Sequence, residues 1–358
     1  MSIPGGIDVP GAELVYRIHD LAPSPDTLVV VNCAGRTRSI IGCQSLRNAG
    51  IPNPVVALKD GTMGWELAGF ETEKNASRAA PAPSAEGRKK ALAAAERVAN
   101  RFSVQFTTTD QMHEWRRDQA RTLYVLDVRT REEFEQAHVA GSRHAPGGQL
   151  VQAADEYVGV RNARVVLVDP DLVRSIMTAS WLNQMGWSDV HVLEEPELTE
   201  SGPRRPKIPG TPPWRTVSAI PEGAAVLDFS TSLRFHHRHI PGAWWVVRSR
   251  LNEAHEKIPS MKDLVLTSED GVLAHLAAPE VASLWNTNVV VLEGGNATWT
   301  GPTESGVERA TTTRDDIWYK PYDHASDYLK HAREYLDWEV ALVEQVKRDP
   351  TIRFRTYS

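Results

Sequence analysis

Only two cysteines occur in the 358 residues, and one of them, Cys33, stands in the run Asn32-Cys33-Ala34-Gly35-Arg36-Thr37-Arg38-Ser39. A thiol reacts as its thiolate, so small residues that free the backbone and two arginines beside it describe a cradle for an anion. The run Leu28 to Val31 before it is unbroken and β-branched, the pattern of a strand buried in a parallel sheet. After Ser39 the apolar positions Ile40, Ile41, Cys43 and Leu46 change to helical spacing. Cys33 is therefore expected at the C-terminal end of a strand, in a loop whose amides lead into a helix N-terminus. Cys43, on that helix, reads as core.

The elements that position this loop occur more than once. Ser2-Ile3-Pro4-Gly5, His138-Val139-Ala140-Gly141 and His239-Ile240-Pro241-Gly242 are three copies of one signature. In the second and third copies an apolar strand ends in Asp127 or Asp228, each 11 residues before the signature histidine. Downstream, the loop follows after 31 residues in the first copy (Cys33), 31 in the second (Asp169) and 29 in the third (Ser268). Gly61 and Trp65 match Gly295 and Trp299. Each copy reads as strand, helix, short strand, strand, loop, helix, strand, helix, an α/β unit with a mostly parallel sheet.

The first copy starts at its signature, so the strand and helix that precede it elsewhere, roughly 30 residues, are expected to be lacking. The chain then reads as the C-terminal part of a longer repeat protein or a gene model begun too late, and the Cys33 copy as poorly stable as it stands. The expected organisation is a partial domain at 1–74, linker and Ala-rich helix at 75–101, a domain at 102–199, a Pro-rich linker at 200–213, a domain at 214–310 and a helical extension at 315–358. In that extension Leu329, Ala332, Leu336, Val340 and Val343 form an amphipathic stripe expected to pack on the third copy.

With 41% hydrophobic and 24% charged residues and a formal charge of −6, the composition is that of a globular protein and argues against nucleic acid as a partner. Neither a membrane span nor a signal peptide is evident, so a cytoplasmic location and no membrane partner are expected. The histidines of 235–239 (FHHRH) lack a second ligand cluster and read as a helix end, leaving no metal site and no cofactor expected. Arg129, two residues after Asp127, reads as a structural ion pair, and Trp244, Trp245 and Trp299 as core or domain interface.

The ordered set of signature, strand, loop beginning with cysteine, helix and glycine-tryptophan closure resembles the rhodanese sulfurtransferases up to about residue 305, and is most similar to the multi-repeat bacterial members. The resemblance implies tandem rhodanese-like domains and a C-terminal helical tail. It also implies that Cys33 is the nucleophile that carries a sulfane sulfur as a persulfide, with Ala34, Gly35, Arg36, Thr37, Arg38 and Ser39 binding the substrate. Gly35 would let backbone approach the sulfur. The Cys-x4-Arg spacing is one residue shorter than in the related phosphatases, which favours sulfur over phosphate. Two arginines suit an anionic donor such as thiosulfate; the acceptor would be a thiol, cyanide or a protein. Asp169 with Pro170 in the second loop, and Ser268 with Glu269 and Asp270 in the third, cannot carry a persulfide. Those copies are expected to be structural or regulatory, and the alternative for the whole chain is a non-catalytic scaffold or sulfur-relay partner.

Overall fold

The computed structural model describes residues 2–203, 214–324 and 326–357. The first repeat runs α1 (Glu13–Leu21), β1 (Val29–Val31), α2 (Thr37–Asn48), β2 (Val55–Ala57) and α3 (Gly61–Leu67), followed by α4 (Ala85–Arg101). The second has β3 (Gln105–Thr107), α5 (Thr109–Arg117), β4 (Leu123–Asp127), α6 (Arg131–Gln136), β5 (His138–Val139), β6 (Arg143–His144), α7 (Gly147–Gln152), α8 (Ala154–Tyr157), β7 (Arg164–Val168), α9 (Val173–Gln184), β8 (Val190–Leu193) and β9 (Leu198–Glu200). The third has β10 (Thr216–Val217), β11 (Ala225–Asp228), α10 (Ser232–His237), β12 (Trp244–Trp245), α11 (Leu251–Lys257), β13 (Asp263–Thr267), α12 (Val272–Trp285) and β14 (Asn288–Leu292). A long helix, α13 (Tyr328–Arg348), lies near the end of the chain.

The second and third repeats build the same five-stranded parallel sheet, in orders β3-β8-β7-β4-β6 and β10-β14-β13-β11-β12. Their central strands, such as Val165 to Val168 and Leu264 to Leu266, are buried on both faces, as unbroken apolar runs require. In the first repeat only the equivalents of the fourth and fifth strands pair, β1 with β2. Leu28, Val30 and Val56 are exposed there, while Val31 and Val55 face the core.

The three signatures adopt one geometry. Ser2, His138 and His239 each form an antiparallel bridge to a glutamate, Glu73, Glu200 and Glu304. The same glutamates accept from the backbone N–H groups of Gly5, Gly141 and Gly242, whose φ values of 75°, 72° and 77° explain the glycine. His138 and His239 donate through Nδ1 to the carbonyls of Phe134 and Phe235 and stack on those rings. Asp127 and Arg129 form a buried ion pair with contacts down to 2.6 Å.

Residues Met1–Arg204 and Leu329–Ser358 form one compact unit and Arg205–Tyr328 another. Within the former, the first and second repeats share a single apolar core: Val15, Ile18, Cys43 and Leu46 cluster with Leu167, Ile176 and Leu182. Helix α4 joins them, capped by Ser84 Oγ accepting from Gly87 N (2.9 Å) and packed against α1 and α9 through Ala91, Ala94, Ala95 and Val98. Small residues at three- and four-residue steps allow that close approach. Of the Pro-rich linker expected at 200–213, residues 204–213 lie outside the described residues. The expectation that the C-terminal helix packs on the third repeat is corrected: from Leu329 onward it belongs to the unit containing Cys33, seated by Ala332 and Leu336. Helical periodicity shows that one face is apolar but carries no information on which surface will cover it.

Candidate active site at the Cys33 loop

Strand β1 ends at Val31 and α2 begins at Thr37, so Cys33 to Arg36 turn between a parallel strand and a helix N-terminus. The Cys33 side chain is partly exposed, and its thiol donates to Ser39 Oγ (3.5 Å), which in turn donates to the Arg36 carbonyl (2.8 Å). From the outer side, the start of α3 holds the loop: Thr62 N donates to Cys33 O (2.8 Å) and Met63 N to Ala34 O (2.9 Å). Gly61 makes this possible, with φ 59° and a position where a Cβ would stand 2.2 Å from Cys33 O and 2.4 Å from Gly35 O. Gly295 does the same for the third loop, at φ 62° and 2.2 Å from Ser268 O.

The two arginines differ in their surroundings. Arg36 Nη1 pairs with Asp60 Oδ1 at 3.0 Å, whereas Arg38 is exposed. Two residues of α13 complete the site. Glu339 Oε1 accepts from Thr37 Oγ1 (2.7 Å), and a Cβ on Gly35 would stand 3.0 Å from both Glu339 Oε2 and the Tyr335 ring. A Cβ at position 35 would therefore crowd α13, a reason for the glycine that the sequence did not disclose. The Tyr335 hydroxyl is pushed well above the ordinary phenol range, first by burial, then by the charge of Glu339 and its hydrogen bond, and by Cys33, with Arg38 opposing.

The second loop is filled by its own side chains. Asp169 Oδ2 accepts from Arg174 N (2.8 Å), and Arg174, fully buried, pairs with Asp169 (2.8 Å), Glu13 of α1 (3.1 Å) and Glu133 (2.7 Å). Its guanidinium lies over the Tyr16 ring, and Tyr16 donates to Asp171 (2.5 Å). Ser175 Oγ bonds to the Leu172 carbonyl (2.9 Å), the counterpart of Ser39 and Arg36, so the loops share geometry although only the first exposes a nucleophile. In the third loop Ser268 is buried and its Oγ accepts from Ala274 N (3.3 Å) at the start of α12. A cleft of about 330 Å³ flanks that loop, bordered by Arg234, Arg238, Glu269 and Trp299.

Among the described residues, no group of three or more His, Cys, Asp or Glu is placed to hold a metal, and no helix is long and apolar enough to cross a membrane. Cys33, Ala34, Gly35, Arg36, Thr37, Arg38 and Ser39 all lie together in the loop. Sequence reasoning missed Asp60, Thr62, Tyr335 and Glu339, which reach the loop from other elements. A glutamate follows every signature, but at unequal distances, which hid the recurrence of Glu73, Glu200 and Glu304.

The rhodanese-like domain family matches residues 108–195 and 216–301, the two repeats without the cysteine. Comparison with curated proteins finds no match. Among solved structures, a thiosulfate sulfurtransferase from Pseudomonas aeruginosa is 46% identical with a TM-score of 0.91, the match covering 100% of this chain and 70% of that one. The rhodanese-like domain of the Alr3790 protein from Anabaena sp. is 25% identical, covering 23% of this chain and 98% of that one, with a TM-score of 0.21. The tandem parallel sheets, the recurring strand-loop-helix cradle and identity to the Pseudomonas enzyme along the whole chain lead to one assignment: the chain belongs to the rhodanese family.

Proposed function

We propose that the chain is a sulfurtransferase acting through a Cys33 persulfide, with thiosulfate or a similar anionic sulfane donor. The observation that carries this reading is the contrast between the loops: Cys33 is the one nucleophile of the three equivalent positions left accessible, while Asp169 and Ser268 are buried and bonded to their own loops. The likeness to the Pseudomonas thiosulfate sulfurtransferase supports the donor class.

In the first half-reaction the Cys33 thiolate attacks the sulfane sulfur of thiosulfate. The new S–S bond forms as the old one breaks, and sulfite leaves with the bonding pair. In the second, an acceptor thiolate or cyanide attacks the outer sulfur and Cys33 returns as thiolate, so no external oxidant or reductant enters. Loop amides, the N-terminus of α2 and Arg38 stabilise the anions at each stage. Ala34 to Ser39 form the substrate cradle, and the repeats holding Asp169 and Ser268 serve as structure. A reducing compartment such as the cytoplasm suits a cycle that needs a free thiol.

Steady-state turnover of thiosulfate with cyanide, and with a dithiol, tests the reading. Cys33→Ala is expected to abolish turnover while Ser268→Ala retains it; turnover that survives Cys33→Ala would overturn the assignment.

A further inference from the structure

The second acidic group at the Cys33 loop is not explained by anion binding. Glu339 comes from α13, outside the repeats, yet its carboxylate lies on the loop, one oxygen held by Thr37 Oγ1 at 2.7 Å and the other 3.0 Å from where a Gly35 Cβ would stand. It is held there by packing: Ala332 and Leu336 on the same helix are buried, and Leu336 also reaches the Gly35 position (3.8 Å). Asp60 engages one of the two loop arginines, Arg36. The mouth of the site therefore carries two carboxylates against two guanidiniums before any donor arrives, and only Arg38 is exposed.

We infer that Glu339 is a specificity-determining residue, a fixed negative charge that lowers the reactivity of Cys33 toward multiply charged donors relative to singly charged or neutral ones. The donor class that suits such a site best is a sulfane sulfur of low charge, an organic thiosulfonate or a hydropersulfide, with thiosulfate accepted against a penalty. A carboxylate fixed on the loop of a partly exposed site repels an arriving anion enough to change a rate on the order of threefold to tenfold at low salt, and less as salt rises.

This inference rests on the proposed role of Cys33 as nucleophile, but its test does not need turnover. Cys33 is alkylated in the full chain with iodoacetate, an anion, and with iodoacetamide, its neutral counterpart, and the modified peptide is quantified by mass spectrometry. The ratio of the two rates cancels changes in thiolate content and in access. Glu339→Gln is expected to raise the iodoacetate-to-iodoacetamide ratio about threefold to tenfold at low salt, and Glu339→Asp to restore it toward the parent value. In turnover, the same Gln variant is expected to raise kcat/KM for thiosulfate relative to that for a singly charged donor. An unchanged ratio in Glu339→Gln overturns the inference, and so does an equal rise of both rates, which would mean that the helix merely shields the thiol. A changed ratio in a protein that moves no sulfur would leave the charge selection standing and refute the sulfurtransferase reading instead.

Discussion

Thr37, in the first turn of the helix after the Cys33 loop, donates its hydroxyl to Glu339, 302 residues further along the chain and 2.7 Å away. The contact ties the last long helix to the candidate nucleophile's loop. It gives the first repeat, whose sheet among the described residues has two strands, a second wall drawn from outside the repeats.

The loop's shape depends on a close backbone approach. A methyl at position 61 would stand 2.2 Å from Cys33 O, and φ 59° strains any residue but glycine. Gly61→Ala must push the loop outward, and a displacement near 1 Å at a reacting group costs on the order of 100-fold in rate. Turnover is expected to fall by that order. Gly295→Ala, which meets Ser268 in the same way, is expected to lower the thermal stability of its own unit while leaving thiosulfate turnover within about twofold of the parent.

Arg174 is the cation of a buried cluster that includes Asp169 and Glu13, both almost fully buried. Arg174→Met keeps the bulk and removes the charge, leaving the buried Asp169 carboxylate without its cation while Glu13 keeps Arg17 at 2.7 Å, a loss of about 3–5 kcal/mol. Chemical denaturation followed by tryptophan fluorescence is expected to show that loss in the transition of the unit holding Cys33. An unchanged midpoint would mean that the cluster contributes nothing.

The same cluster sets an acid limit. Burial tends to raise the carboxyl of Glu133, but the hydrogen bond and charge of Arg174 and the bonds from Thr130 outweigh it and hold the group below its ordinary value. A carboxylate with a depressed folded pKa contributes stability above its unfolded pKa, about 4.3, and loses it as pH falls through the lower folded value. Stability measured from pH 6 downward is expected to decline below about pH 4.5. Glu133→Gln, which cannot titrate, is expected to be less stable at neutral pH and to show a shallower decline. An equally steep decline in the variant would place the acid-sensitive group elsewhere.

The first and second repeats share one core, in which Leu46 and Cys43 cluster with Leu167 and Ile176. Calorimetry is expected to show them unfolding in a single transition. The sequence points the other way, to a Cys33 copy poorly stable as it stands in this chain, because counting strands reveals what a sheet lacks but not what its helices lean on. A separate early transition for the first repeat, detected by protease nicking within residues 1–74, would contradict the shared core.

What was legible in the sequence was whatever repeats. The strand, loop and helix around Cys33, Asp169 and Ser268 followed from registers of 31, 31 and 29 residues, and the ion pair of Asp127 with Arg129 from adjacency. Contacts between non-repeating elements left no such trace. Glu13 and Tyr16 look like ordinary positions on an amphipathic helix until α1 is laid against the second loop. Tyr335 and Glu339 are one helical turn apart on a face that only tertiary packing directs to Gly35.

The most direct measurement of the central claim is intact mass spectrometry of the purified chain before and after exposure to thiosulfate, beside Cys33→Ala. The account predicts a gain of one sulfur atom that cyanide removes and the variant lacks. A parent chain that gains no sulfur while Cys33 remains free to alkylation, or a variant that gains it equally, would contradict it.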